Sequence, residues 1–270
     1  MRLLKVLEPF PARGEQAVSV HEAARLALRR RLAARRPESF RTWSQRSAEH
    51  FAADPAPAAR IEWIYHRLGY DPDGAATELE CLNRDCTGSG RPEDDQALAI
   101  ALRELLEADV LEGRARVWAM LCVAWARVAR GETALLGEQA RVILDLAAAT
   151  RDPMAIADAQ CLVGDLMQAQ GKLIEAQAAF GEFLAICRRL AEQDASNADW
   201  QRSVGLGCWR IAGLLNASGS SQDALPLYEE AARIFVDLVE RCPDVPAWRG
   251  ERDAVRRELA LCRTNIRRTP

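Results

Sequence analysis

Apolar side chains recur every three to four residues along most of this chain, which is the period of an α-helix. The helical stretches are separated by short turns rich in Gly, Pro, Asn and Asp. This pattern predicts an all-α fold. In the larger, C-terminal part of the chain the predicted helices cover about residues 93–111, 114–130, 132–150, 153–169, 172–194, 198–217, 221–241 and 246–266.

The N-terminal residues depart from this pattern. Two short β-like runs within residues 1–18 flank a Pro-Ala-Arg-Gly turn and predict a small hairpin. Ser19 and Glu22 then have the spacing of a capping box, which predicts a helix from there to about Arg36. Three further helices are expected to begin at Pro37, at Asp54-Pro55 and at Asp71-Pro72.

The clearest predicted loop is residues 85–93, DCTGSGRPE, because Gly, Ser and Pro cluster there. The helix that begins near Pro72 is therefore expected to end near Asn83. The loop also predicts a domain boundary, with a helical connector at 1–84 and a helical repeat array at 92–270.

A sequence repeat organises the C-terminal half of the chain. Gly171 and Gly219, each between two predicted helices, are 48 positions apart. The same offset relates Ala176 to Ala224, Phe180 to Tyr228, Leu190 to Leu238 and Trp200 to Trp248. A fixed period of this size is typical of stacked helical hairpins. Residues 116–150, with Gly131 at the turn, are interpreted as a degenerate unit, and the helix at 246–266 as a charged cap.

These positions resemble the tetratricopeptide repeat (TPR) family. That pattern has a small residue in the first helix, Gly at the turn, and Ala and an aromatic four apart in the second helix. Here these are Gly164, Gly171, Ala176 and Phe180, then Ala212, Gly219, Ala224 and Tyr228. The period is longer than the 34 residues of the family, and the expected Pro is displaced or missing. The resemblance implies a TPR-like α-solenoid that acts as a non-enzymatic scaffold for a protein partner.

Residues 18–80 resemble a second family. The stretches VSVHEAARLALRRRL, FRTWSQRSAEHF and ARIEWIYHRL are similar to the segment after the nucleotide-binding core of bacterial signalling ATPases of the STAND type. The resemblance implies a winged-helix remnant and a connector that lead into a repeat sensor or adaptor of a signalling or defence system. The phosphate-binding loop is absent from the sequence, since neither Lys5 nor Lys172 follows a Gly-rich loop of the required spacing.

Composition sets few limits on function. Of 270 residues, 49% are hydrophobic and 28% charged, and the net charge of −3 gives no overall attraction to nucleic acid or membrane. No apolar run has membrane-spanning length and no signal-peptide pattern begins the sequence, so a cytoplasmic protein without membrane contact is expected. Most of the eight Cys and seven Trp fall in apolar helix positions and are predicted to be buried.

The sequence offers no convincing catalytic or metal site. His21-Glu22 begins like a zinc-protease helix, but Arg25 stands where the second His ligand would be. Cys81 and Cys86 lack a second Cys pair or a nearby His. No Gly-x-Ser-x-Gly motif is present. We therefore expect no enzyme activity, no cofactor and no bound metal.

A polar stripe on one predicted helix suggests a binding surface. Asp158, Cys161, Asp165 and Gln168 follow spacings of three and four, and one repeat later the matching positions are Leu206, Trp209, Gly213 and Asn216. First helices of stacked hairpins line the concave face, so a peptide or helix is expected to bind there. The predicted partner-binding residues are Asp158, Asp165, Gln168, Trp209 and Asn216. The alternative is that Trp209 packs against a neighbouring hairpin.

A basic stretch near the N-terminus predicts an alternative function. Between Arg25 and Arg46 there are eight Arg and one acidic residue, Glu38, which is the composition of a phosphate-binding surface. The alternative is a nucleic-acid-associated regulator that uses Arg25, Arg29, Arg30 and Arg36. Helix geometry spreads Arg29, Arg30 and Arg31 around much of the circumference, so a solvated face or an acidic partner is favoured over nucleic acid. The partner's identity and the oligomeric state stay open.

Overall fold

The computed structural model describes residues 7–9, 18–20, 22–134 and 136–268, which form two short strands and twelve helices. Strand β1, Leu7–Pro9, pairs antiparallel with β2, Val18–Val20, so that Leu7 lies opposite Val20. This pairing matches the predicted N-terminal hairpin, whose turn lies outside the described residues.

The predicted all-α fold is confirmed. The helices are α1 Glu22–Arg35, α2 Pro37–Phe51, α3 Pro57–Tyr70, α4 Pro72–Ser89, α5 Pro92–Glu107, α6 Gly113–Ala129, α7 Leu136–Thr150, α8 Pro153–Ala169, α9 Leu173–Gln193, α10 Ala198–Ala217, α11 Ser221–Arg241 and α12 Pro246–Arg268. From α8 onwards, both ends of every helix lie within two residues of the predicted bounds.

Local signals explain most of the helix starts. Six of the twelve helices of the described chain begin with Pro, which is preorganised for the first turn and needs no N–H there. Asp71, Asp152 and Asn197 cap α4, α8 and α10, each accepting hydrogen bonds from backbone N–H groups of the first turn.

Two predicted starts were wrong. Ser19 lies in β2, where it pairs with Glu8, so it cannot cap a helix, and α1 begins at Glu22. Asp54 uses its carboxylate to accept the N–H of Ala56 in the preceding turn, and α3 begins at Pro57 rather than at Pro55. In both places the residue predicted as the N-cap lies outside the cap position: Ser19 is in a strand and Asp54 is in the preceding turn.

The predicted loop at residues 85–93 was also wrong. Helix α4 continues to Ser89 and ends at Gly90, whose φ of 69° is left-handed. The reason is burial: Leu82 and Cys86 on one face of α4 belong to a hydrophobic core shared by α3 to α8. That core continues across the predicted boundary, and the division into domains 1–84 and 92–270 stays a prediction.

Helices α6 to α12 form a helical-repeat solenoid of two layers. Consecutive helices pack against each other, while α6 also contacts α8 and α10 contacts α12. Helices α6, α8, α10 and α12 therefore form one layer, and α7, α9 and α11 the other. The turns after α6, α8 and α10 contain Gly131, Gly171 and Gly219 with φ of 77°, 73° and 86°, a conformation that favours glycine.

The repeat positions have equivalent packing. Phe180 and Tyr228 are both fully buried, with 0% and 1% of their surface exposed. Gly164 lies directly against the ring of Phe180, and a side chain at that position would overlap the ring. Ala212, at the same place one unit later, is also fully buried. Small residues in the first helix thus make room for the aromatic side chain of the second.

The burial of the Trp and Cys side chains is mostly as predicted. Trp118 and Trp248 are buried, and four more Trp residues pack against the core. Trp43 is the exception, with 66% of its surface exposed, because on α2 the buried face is formed by Ser44 and Ala48. All eight Cys are free thiols, and six of them are buried.

We expect Gly164→Ala to destabilise the fold by about 1–3 kcal/mol, because the added methyl group overlaps the Phe180 ring and forces repacking. The matched control is Gly181→Ala in α9, where nothing lies near the added methyl group. It should be neutral or stabilise by up to about 1 kcal/mol, since Ala favours helix over Gly. Urea unfolding followed by circular dichroism measures both; equal effects would contradict the repeat packing.

Candidate functional site

Arg114, in the first turn of α6, joins three helices. Its guanidinium donates hydrogen bonds to Thr77 Oγ1 and Glu80 Oε2 of α4, both at 2.6 Å, and to Asp152 Oδ2. The carboxylate of Asp152 also accepts Nε1–H of Trp118 at 3.0 Å while it caps α8. The N-terminal ends of α6 and α8 are therefore attached to one face of α4.

The same face of α4 reaches α10 and α12. Arg84 donates to Asp199 Oδ2 in the first turn of α10 at 2.7 Å, and to Glu80 of its own helix at 3.1 Å. One turn later Gly88 lies against Val245, next to the start of α12. Since α4 contacts both α6 and α12, the layer they form curves towards it. This layer is the inner face of the solenoid, and α4 crosses the N-terminal ends of its helices.

Asp158 of α8 lies on the inner face among the charges of these helices. It is half-buried, and its carboxylate has no hydrogen bond or ion pair with any residue in the described part of the chain. Burial and the nearby Glu80 and Asp152 carboxylates raise the pKa of Asp158 to about 7, although Arg202 and Arg84 oppose this. Asp158 is thus an uncompensated carboxyl group, in the sense that no cation of the described chain pairs with it directly.

The other stripe residues of α8 have different surroundings. Asp165 forms an ion pair of 3.0 Å with Arg210 of α10 and has only 13% of its side chain exposed. Burial raises the pKa of Asp165, and Arg210 opposes the increase. Gln168, one turn further, is exposed. Along α8, Asp158 is therefore an uncompensated acid, Asp165 is an acid paired with an arginine, and Gln168 is an exposed amide.

Trp209 and Asn216 face the neighbouring hairpin instead. The Trp209 indole donates Nε1–H to Glu258 Oε2 of α12 at 2.9 Å, and its ring packs edge-on against Phe235 of α11. Asn216 Oδ1 accepts hydrogen bonds from Ser221 and from Asn265 of α12. This is the packing role that the sequence left open as an alternative. The five predicted residues do not form one continuous exposed stripe.

Sequence reasoning missed the charged residues that meet at α4. Glu80, Arg84 and Arg114 bond to partners 34 to 115 positions away in the chain. The only local signals were the spacing of four between Glu80 and Arg84 and the acids at the starts of α8 and α10. Neither signal identifies α4 as the common partner.

The residues of the alternative basic surface are partly engaged within the chain. Arg29 donates to Glu104 Oε2 at 2.7 Å and stacks over the Tyr65 ring, and Arg30 pairs with Glu107 at 3.6 Å. Arg36 is exposed, whereas the side chain of Arg25 lies outside the described residues. Two of the four arginines thus serve to attach α1 to α3 and α5.

The last observations concern metal binding and the length of the helices relative to a membrane. Within the described ranges, no group of three or more His, Cys, Asp or Glu side chains is arranged to hold a metal ion. Cys81 is exposed while Cys86 is buried in the core, so the two thiols do not share a surface. None of the described helices is both long enough and apolar enough to cross a membrane.

Comparisons of the chain with protein-family models, with curated proteins and with solved structures found no match.

Asp158→Asn should remove a pH dependence of stability. Because the folded pKa lies above the unfolded value of 3.8, the contribution of the neutral carboxyl is complete below about pH 4 and is lost as the pH rises through about 7. At pH 8 the variant should be more stable than the original chain by about 1–3 kcal/mol, and at pH 4 the two should differ little.

Urea unfolding at pH 4, 6 and 8 measures this difference. The control variant Asp145→Asn changes an exposed carboxylate on α7 and should keep the original pH profile. Parallel profiles for the original chain and Asp158→Asn would contradict the predicted burial of an uncompensated carboxyl group.

Proposed function

We propose that this chain is a non-enzymatic protein-interaction scaffold, a sensor or adaptor that holds a segment of a protein partner on the inner face of its solenoid. Stacked helical repeats present an extended curved surface on which several helices contribute side chains. Membership of the TPR family, the role as the sensor region of a STAND-type signalling or defence system, and a cytoplasmic location belong to this proposal.

The observation that supports it is the half-buried carboxylate of Asp158, which has no bonding partner among the described residues. The two arginines near it are already used, Arg84 by Asp199 and Arg202 by Glu251. A Lys or Arg of a bound segment would supply the missing positive charge and would lower the pKa of Asp158. The preferred partner segment is therefore basic.

The position of α4 defines where such a segment would lie. Since α4 covers the N-terminal ends of the inner helices, the segment would run beside α4 and would contact α8 from Asp158 towards Asp165 and Gln168. Trp209 would act indirectly, because its indole fixes α12 through Glu258. Binding is thus assigned mainly to α8.

A photo-crosslinking amino acid in place of Gln168 tests the proposal in the native host. Gln168 is exposed, so the substitution should leave the fold intact. We expect a specific protein to be crosslinked from this position. The control position is Glu182, exposed on α9 in the other layer, where the same protein should not be captured. Mass spectrometry of the adducts identifies the partner and the crosslinked segment.

The combined change Asp158→Asn and Asp165→Asn should lower the adduct yield at Gln168 at least tenfold, mainly through slower association with a basic segment. Asp145→Asn with Glu182→Gln removes the same number of acids from the other layer and should leave the yield unchanged. Equal capture from Gln168 and Glu182, or an unchanged yield after the Asp158 and Asp165 changes, would contradict binding on the inner face.

A further inference from the structure

A groove with an apolar floor runs between α11 and α12, at the last hairpin of the described array. Its floor consists of Ala232 and Val236 from α11 and of Leu259 and Ala260 from α12, around a volume of about 420 Å³. This volume lies within the range of small ligand pockets, but the floor follows the axes of two helices. Its shape therefore suits side chains that project from one face of a third helix.

The corresponding groove one repeat earlier is covered by a helix. Residues Leu184, Cys208 and Ala212 precede Ala232, Arg256 and Ala260 by 48 positions, and all three are buried. Helix α11 lies over them, since it packs on α10 and its Ala224 and Tyr228 share a core cluster with Ala212. In the last unit Arg256 and Ala260 are exposed instead. The last described hairpin thus carries a surface of the type that receives a helix in the preceding unit.

The earlier groove also shows how charge is matched there. Arg188 at its edge donates a hydrogen bond of 2.8 Å to Glu230 of the covering helix α11. Such a pair is charge-assisted, and it orients the helix that supplies the acid. The covering helix therefore combines apolar residues that face the floor with an acid that meets an arginine at the rim.

Three arginines border the groove at the end of the array: Arg233, Arg256 and Arg263. Arg233 and Arg256 are exposed and make no hydrogen bond or ion pair with any residue that the structure describes, whereas Arg263 pairs with Glu229 at 2.9 Å. An apolar floor between arginines complements a helix with an apolar stripe flanked by Glu or Asp.

We propose that this groove is a second docking surface, which binds an acidic amphipathic helix of a protein partner in the manner in which α11 covers the groove between α9 and α10. The surface is formed by α11 and α12 alone and does not include Asp158, Asp165 or Gln168. The proposal goes beyond the inner-face function, and an experiment can contradict binding at one site without contradicting binding at the other.

Two synthetic helical peptides of 21 residues, the length of α11, are the probes. Both carry Leu at positions i, i+4, i+7 and i+11; one has Glu at the flanking positions and the other has Lys there. Fluorescence anisotropy with labelled peptide measures binding to the full chain. The Glu peptide should bind at least tenfold more tightly than the Lys peptide, and its binding should weaken as salt is added.

The variant Arg233→Glu with Arg256→Glu should bind the Glu peptide at least tenfold more weakly than the original chain. Both side chains are exposed, so the helical content measured by circular dichroism should not change. The matched control is Arg257→Glu, which reverses an exposed charge on α12 outside the groove and should bind as the original chain does.

Absence of binding by the Glu peptide, equal binding of both peptides, or an equal loss with Arg257→Glu would overturn the proposal. Sedimentation provides a further test: a dimer that Arg233→Glu with Arg256→Glu converts to a monomer would show that a second copy of this chain occupies the groove, against the proposal. The same double variant should keep the crosslink yield at Gln168, so failure here is distinguishable from failure at the inner face.

Discussion

The guanidinium of Arg114 holds the described structure together where α4 meets the solenoid. It contacts α4 and the cap of α8 from the first turn of α6, and each of its charged partners lies partly buried. A buried charge is costly when it loses its partner, so these groups favour the single arrangement in which all of them are paired. The position of α4 across the inner face, and with it the curvature of the array, depends on this matched set.

Asp158 is the exception within that set. Glu80 of α4 and the acids Asp152 and Asp199 at the starts of α8 and α10 are each bonded to an arginine, and Arg202 is committed to Glu251. The fold therefore places one carboxyl group on the inner face without the directly bonded cation that its acidic neighbours have. Such a group costs stability when ionised, and the binding role that we propose would offset this cost when a basic segment is bound.

The sequence predicted the solenoid well because its signals are local. Prolines at the first helical positions, caps such as Asp152 and Asn197, and the left-handed glycines Gly171 and Gly219 each act within one turn of the chain. The Gly164 and Phe180 pair could be predicted because the repeat shows it twice.

The parts that failed depend on distant contacts. Residues 85–89 have loop composition, yet Cys86 is held in the core by helices that follow it in sequence, so the segment is helical. Trp209 looked like an exposed anchor because the pattern of α10 cannot reveal Glu258, 49 positions away. The groove of the last described hairpin was likewise hidden from the sequence, because its apolar floor appears only when α11 and α12 lie side by side. The cap predicted from the charged pattern of residues 246–266 stays a prediction.

Helix α4 also changes how the array can unfold. In most repeat arrays each unit contacts only its neighbours, so the end units open independently of the middle. Here the bond between Arg84 and Asp199 spans 115 positions, and α4 contacts both α6 and α12. Opening of the last hairpin therefore breaks contacts with a helix near the start of the chain. We therefore expect the solenoid to unfold more cooperatively than an array without such a helix, because displacement of α4 would break its contacts with α6, α10 and α12 together.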